Sequence, residues 1–128
     1  MSPSSGCSRC FGDDAATAWT ASRTARLRAL VEESHFSLQL TACPCGQRFV
    51  SVFTERIDWQ GGEDDQTWLV VPVTAEESAR LETLAEGELA RAVTECARGR
   101  RFLVRSFPTG GTLGVWWRDG GFLIGPHD

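Results

Sequence analysis

Four of the five cysteines fall into two close pairs. Cys7-Ser8-Arg9-Cys10 is a C-x-x-C, and Cys43-Pro44-Cys45-Gly46 is a C-x-C followed by glycine. Thiolates are soft ligands, and four of them match the closed tetrahedral shell of a structural Zn²⁺. Each pair pre-organises two ligands, so an ion held by Cys7, Cys10, Cys43 and Cys45 has one long loop to close, the 32 residues between the pairs. Two other chemistries use the same residues. A C-x-x-C can be a redox pair, but here it lacks the strand-to-helix setting of a thioredoxin-like motif. Four thiolates can also hold an iron–sulfur cluster. The odd cysteine count fits poorly with a disulfide scaffold and points to a reducing compartment.

The two pairs, with Pro44 and Gly46, resemble a bacterial zinc ribbon, in which two knuckles at turns grip one tetrahedral ion. The resemblance covers roughly the first third to half of the chain and rests on those six residues. The usual knuckle is C-P-x-C-G, and this chain has C-P-C-G, one residue shorter. The resemblance implies a structural metal and no particular activity, since ribbons serve in DNA binding, in enzymes and in protein docking.

The elements that must position these residues follow from periodicity. Asp13 and Asp14 are good caps for a helix running to about Ser34, with Trp19, Leu27, Leu30 and Val31 on one face. Phe36, Leu38, Leu40 and Ala42 alternate with polar residues, which reads as a strand. A second strand runs from about Gln47 to Trp59, which puts Cys43 and Cys45 at a hairpin tip. Thr67 to Val73 reads as a third strand. Thr74 and Glu77 form a capping box opening a second helix, whose apolar stripe of Leu81, Leu84, Leu89, Val93 and Cys96 ends at Gly99. Cys96, on that stripe, reads as a buried inert thiol. Short strands follow at Arg101 to Phe107, Leu113 to Arg118 and Phe122 to Ile124. The expected architecture is one α+β domain over 1–128, a largely antiparallel sheet with two helices and a zinc-ribbon-like Cys₄ knuckle.

Charge is uneven. The chain has thirteen Arg, no Lys and a net charge of −4, yet residues 47–78 alone carry −5. The excess peaks at Glu63-Asp64-Asp65, between Trp59 and Trp68. An acidic turn flanked by tryptophans suits docking to a basic protein, because charge complementarity steers association and Trp concentrates binding energy. The same turn also reads as a solvated hairpin. As a cation site it lacks the spaced ligands of a calcium loop. Arg98, Arg100, Arg101 and Arg105 form the one basic cluster, and with an exposed member of Trp116 and Trp117 they would serve a nucleic-acid binder. Adjacent tryptophans on a strand face opposite sides, so one is expected in the core.

No HExxH, G-x-S-x-G or phosphate loop is present. His35, at an element junction, reads as a surface or capping residue, and His127 as part of a tail. Residues 1–6 lack both the basic start and the apolar stretch of a secretory signal. The sequence therefore reads as a cytoplasmic, zinc-stabilised protein-interaction module (accessory, regulatory or immunity-type) rather than a catalyst. A zinc-stabilised nucleic-acid binder is the alternative, and an enzyme with an unrecognised site the third reading.

Overall fold

The computed structural model describes residues 7–33, 35–56, 65–108 and 114–119. Six strands form one sheet: β1 (Ala25–Glu32), β2 (Phe36–Ala42), β3 (Arg48–Arg56), β4 (Asp65–Val73), β5 (Phe102–Pro108) and β6 (Gly114–Arg118). Their spatial order follows the chain, and every neighbouring pair is antiparallel. Helix α1 (Ala15–Ser22) precedes the sheet, and α2 (Ala75–Leu81) and α3 (Glu86–Ala97) join β4 to β5. Among the described residues no helix is long and apolar enough to cross a membrane.

Period-two alternation sorts the side chains into two cores, because opposite residues in a ladder share a face. Leu38, Val52, Leu69 and Val104 stand in one cross-strand row. Their face joins Leu81, Leu89, Val93 and Cys96 of α2 and α3 in the larger core. The opposite face carries Phe49, Val70 and Leu103, which pack with Ala18 and Ala21 of α1 and with Cys10 and Cys43. The sheet is thus sandwiched between one helix and two.

The α+β class and antiparallel sheet match expectation, but the described residues form three helices instead of two. The first expected helix stops at Ser22, and Ala25–Glu32 is an additional strand. β1 is an edge strand whose pairing shifts register between Arg26 and Arg28 and again between Ala29 and Val31. Each irregularity breaks the alternation, leaving Leu27, Leu30 and Val31 at a spacing that imitates a helix. The second expected helix is two. Its capping box is present, with Glu77 N–H donating to Thr74 Oγ1 at 3.0 Å and Thr74 N–H to Glu77 Oε1 at 2.9 Å. The chain then breaks at residues 82–85 before α3 begins. Because Leu81 and Leu89 are both buried on either side of the break, the apolar stripe continues across it. Gly99, at φ +72°, follows the end of α3 in the left-handed conformation suited to a helix stop. The strand expected at Phe122 to Ile124, and His127, lie outside the described residues.

Candidate metal centre

The second cysteine pair sits where the hairpin prediction puts it, in the turn between β2 and β3. Cys43 N–H donates to the Gln47 carbonyl at 3.0 Å, and Gly46 N–H returns to the Cys43 carbonyl at 2.9 Å. Gly46 has φ +99°, so the tight reversal after Cys45 uses glycine's freedom. The first pair lies in a compact turn before α1, closed by Phe11 N–H to the Cys7 carbonyl at 3.0 Å. Asp14 then caps α1, accepting from Ala16 N–H at 3.1 Å.

The sheet brings the two turns together. Cys7 Sγ lies 3.7 Å from Cys10 Sγ and 3.6 Å from Cys43 Sγ, and Cys10 Sγ lies 3.8 Å from Cys45 Sγ. All four ligand atoms fall within 4.8 Å of one another, so the cluster can hold a metal ion. Zn–S bonds of about 2.3 Å place the sulfurs of a tetrahedral shell ~3.8 Å apart. The three short separations meet that figure, and the widest need close by about 1 Å. A disulfide, at about 2.05 Å, is much shorter than any of them, and all four cysteines are free thiols.

Cys10 and Cys43 are buried, Cys7 is half-buried and Cys45 is exposed. Hydrogen bonds from the backbone of Cys10, and then of Arg9, pull the Cys7 thiol down to about 6. Burial pushes the Cys10 and Cys43 thiols up. The pocket therefore stabilises one thiolate and disfavours further unpaired negative charge, a setting in which a cation replaces protons.

Sequence reasoning missed what anchors the first knuckle. The Gly12 carbonyl accepts from Arg101 Nη2 and from Trp117 Nε1, both at 2.8 Å. The Arg101 guanidinium lies over the Trp117 ring at 3.9 Å, and Phe11 meets that ring edge-on at 5.2 Å. A Cβ at Gly12 would sit 2.1 Å from the Ser8 carbonyl oxygen, so the turn closes only on glycine. The one signal in the sequence was the pair Trp116-Trp117, of which Trp116 is exposed and Trp117 is half-buried against the core that holds Cys10 and Cys43.

Trp59, Glu63 and Asp64 lie outside the described residues, and Asp65 opens β4. Trp68 faces the α1 side, against Phe53 at 4.9 Å and Trp19 at 6.1 Å. Three arginines of the basic cluster are each engaged by different partners. Arg100 grips Glu77 with two bonds of 2.7 Å, Arg101 serves the knuckle, and Arg105 stacks on Trp19 and Trp68. His35 Nδ1 meets Glu55 Oε1 at 3.0 Å. Cys96 is buried in the larger core, where burial and then the Glu77 charge push its thiol up to about 11.

Compared with protein-family models, with curated proteins and with solved structures, the chain matches none.

Proposed function

We propose that this chain binds one structural Zn²⁺ in a zinc-ribbon-like knuckle and works as a cytoplasmic protein-interaction module of bacterial type. One observation carries the metal reading: four thiol sulfurs from two turns within 4.8 Å of one another. A shell filled by four protein ligands keeps no position for water or substrate, which is the arrangement of a structural site and not a catalytic one. Thiolate donors favour zinc over hard cations such as Mg²⁺ or Ca²⁺. Five free thiols fit a reducing compartment. The test is elemental analysis of protein purified without chelator, with X-ray absorption at the zinc edge. One zinc per chain in an all-sulfur shell supports the reading; iron, or substoichiometric metal, overturns it.

The interaction role rests on the charge of −5 across residues 47–78. Like charges repel one another, and attraction for a basic partner gives the fold a reason to concentrate them. Replacing Glu63, Asp64 and Asp65 together by Ser is expected to leave zinc content unchanged and to slow association with the native partner at low salt. An unchanged association rate would reduce the acidic turn to a solvated loop.

A further inference from the structure

On the α1 side of the sheet, away from the cysteines, a cleft of about 250 Å³ is lined by Arg23, Ser37, Gln39, Ser51, Phe53 and Trp68. Arg23 leaves the C-terminal end of α1, and its guanidinium donates to Ser51 Oγ while lying 4.6 Å from the Trp19 ring centre. Arg105 stands beside the cleft, outside its lining, on β5 opposite Trp68 in the β4–β5 ladder. Its guanidinium stands 4.8 Å from the Trp19 ring and 4.7 Å from the Trp68 ring. Two cations thus converge on one tryptophan. Among the described residues neither forms an ion pair with a carboxylate, whereas Arg26, Arg28, Arg91, Arg100 and Arg101 each do.

Bringing two like charges together in a partly desolvated place opposes folding. Burial, and then the repulsion of Arg105 and Arg26, hold the Arg23 guanidinium below its ordinary pKa. The stacking rings recover part of that cost, since a cation over an aromatic face is attracted to it. An anion would recover more. The lining says which kind. Arg23 supplies a planar donor fork suited to carboxylate or phosphate oxygens, Ser37, Gln39 and Ser51 supply neutral hydrogen-bonding groups, and Phe53 and Trp68 supply flat apolar walls. The volume suits a small molecule, and the chain's net charge of −4 works against a long polyanion.

We propose that this cleft is a binding site for a small oxyanion carried on a flat ring, an aromatic carboxylate or phosphomonoester, with Arg23 holding the anion, Ser37, Gln39 and Ser51 its further oxygens, and Phe53 and Trp68 the ring. This site is separate from the metal knuckle and independent of the interaction role.

The test is a titration of the zinc-loaded protein, followed by ¹⁵N NMR and tryptophan fluorescence. The probes are phenyl phosphate, benzoate, inorganic phosphate and a twelve-residue oligothymidylate. Saturable shifts confined to residues around Arg23, Ser51 and Trp68, with phenyl phosphate or benzoate binding more tightly than inorganic phosphate, support the proposal. The better of those two names the anion. Arg23→Gln is expected to weaken binding by about tenfold or more, the loss of a charge-assisted contact, and Arg105→Gln, outside the lining, by less, both with zinc content unchanged. The wild-type titration stands alone should either variant fail to fold. Absence of saturable shifts up to about 10 mM of both aromatic probes, a range that reaches even millimolar dissociation constants, overturns the proposal. So does undiminished binding by a folded Arg23→Gln. Tighter, steeply salt-dependent binding of the oligothymidylate overturns it in favour of a nucleic-acid surface.

Discussion

Trp117 donates its indole N–H to the carbonyl of Gly12 at 2.8 Å, a contact that spans 105 residues of sequence and ties the first cysteine turn to β6. Because Arg101 shares the same oxygen, Trp117→Phe removes one of two donors and leaves the acceptor satisfied. The expected cost is about 1 kcal/mol, the net worth of one hydrogen bond, with faster zinc transfer to a chelator. Gly12→Ala is expected to be worse, since the new methyl meets backbone, which cannot swing aside. Zinc transfer rates for the two variants check the order. If Gly12→Ala releases metal no faster than wild type, the turn is not held as described.

Ligand assignment is testable by contrast. Cys43→Ser is expected to abolish tight metal binding and lower the unfolding temperature, because metal-binding energy is folding energy at such a site. Cys96→Ala removes a small buried group from the α2–α3 core, at a cost of roughly 1 kcal/mol, and leaves metal content unchanged. Loss of metal from Cys96→Ala together with retention in Cys7→Ala would refute the ligand set.

Metal removal has a local reporter. Arg9 lies exposed between the two cysteines of the first turn, a trypsin site inside the knuckle. With zinc bound, Cys10 directly after it and Cys7 two residues before it are both ligands, and the backbone resists the extended shape a protease requires. Chelation is expected to accelerate cleavage after Arg9 while sites within the sheet stay protected. Equal cleavage rates with and without chelator, read by mass spectrometry, would show that the ion does not order this turn.

Glu77 links pH to stability. Burial opposes its ionisation, but hydrogen bonds from Arg100 outweigh this and hold the carboxyl below its ordinary value of 4.5. A carboxyl depressed in the folded state stabilises fully above the unfolded value, and that stabilisation is lost as pH falls through the folded one. Glu77→Gln keeps an acceptor for the Thr74 N–H and removes the charge. At neutral pH it is expected to cost about 1–3 kcal/mol, since it strands a half-buried guanidinium. The gap from wild type should shrink as pH drops below 4.5. Urea unfolding across that range checks it, and a constant gap would show that the ion pair contributes nothing.

The parts of this molecule that were legible in its sequence are those specified locally. Cys43 and Cys45 fall at a hairpin tip because clean alternation on both sides leaves only the turn between them. Thr74, Glu77 and Gly99 mark helix ends through chemistry contained within one turn. β1 was hidden because its register shifts spoil the alternation by which a strand is recognised. The break before Glu86 was hidden because no Gly or Pro marks it and the apolar stripe runs through it. Gly12 and the cleft at Arg23, with Arg105 beside it, were hidden for a third reason. Their partners are set by sheet register: nothing in the sequence near Gly12 names Trp117, and only the β4–β5 ladder places Arg105 opposite Trp68.

The strand order that simply follows the chain has a kinetic consequence. Each ladder joins consecutive strands, so most pairings form between near neighbours in sequence, and topologies of this kind fold quickly for a sheet. The first knuckle gathers contacts that reach far along the chain, Gly12 to Arg101 and Trp117, together with those between its cysteines and the cysteines of the second turn. Such contacts close large loops and form after the sheet exists. An ion bound there therefore stabilises interactions absent from the folding transition state. Its signature is slower unfolding at a nearly unchanged folding rate, which makes the metal a latch on a sheet already assembled.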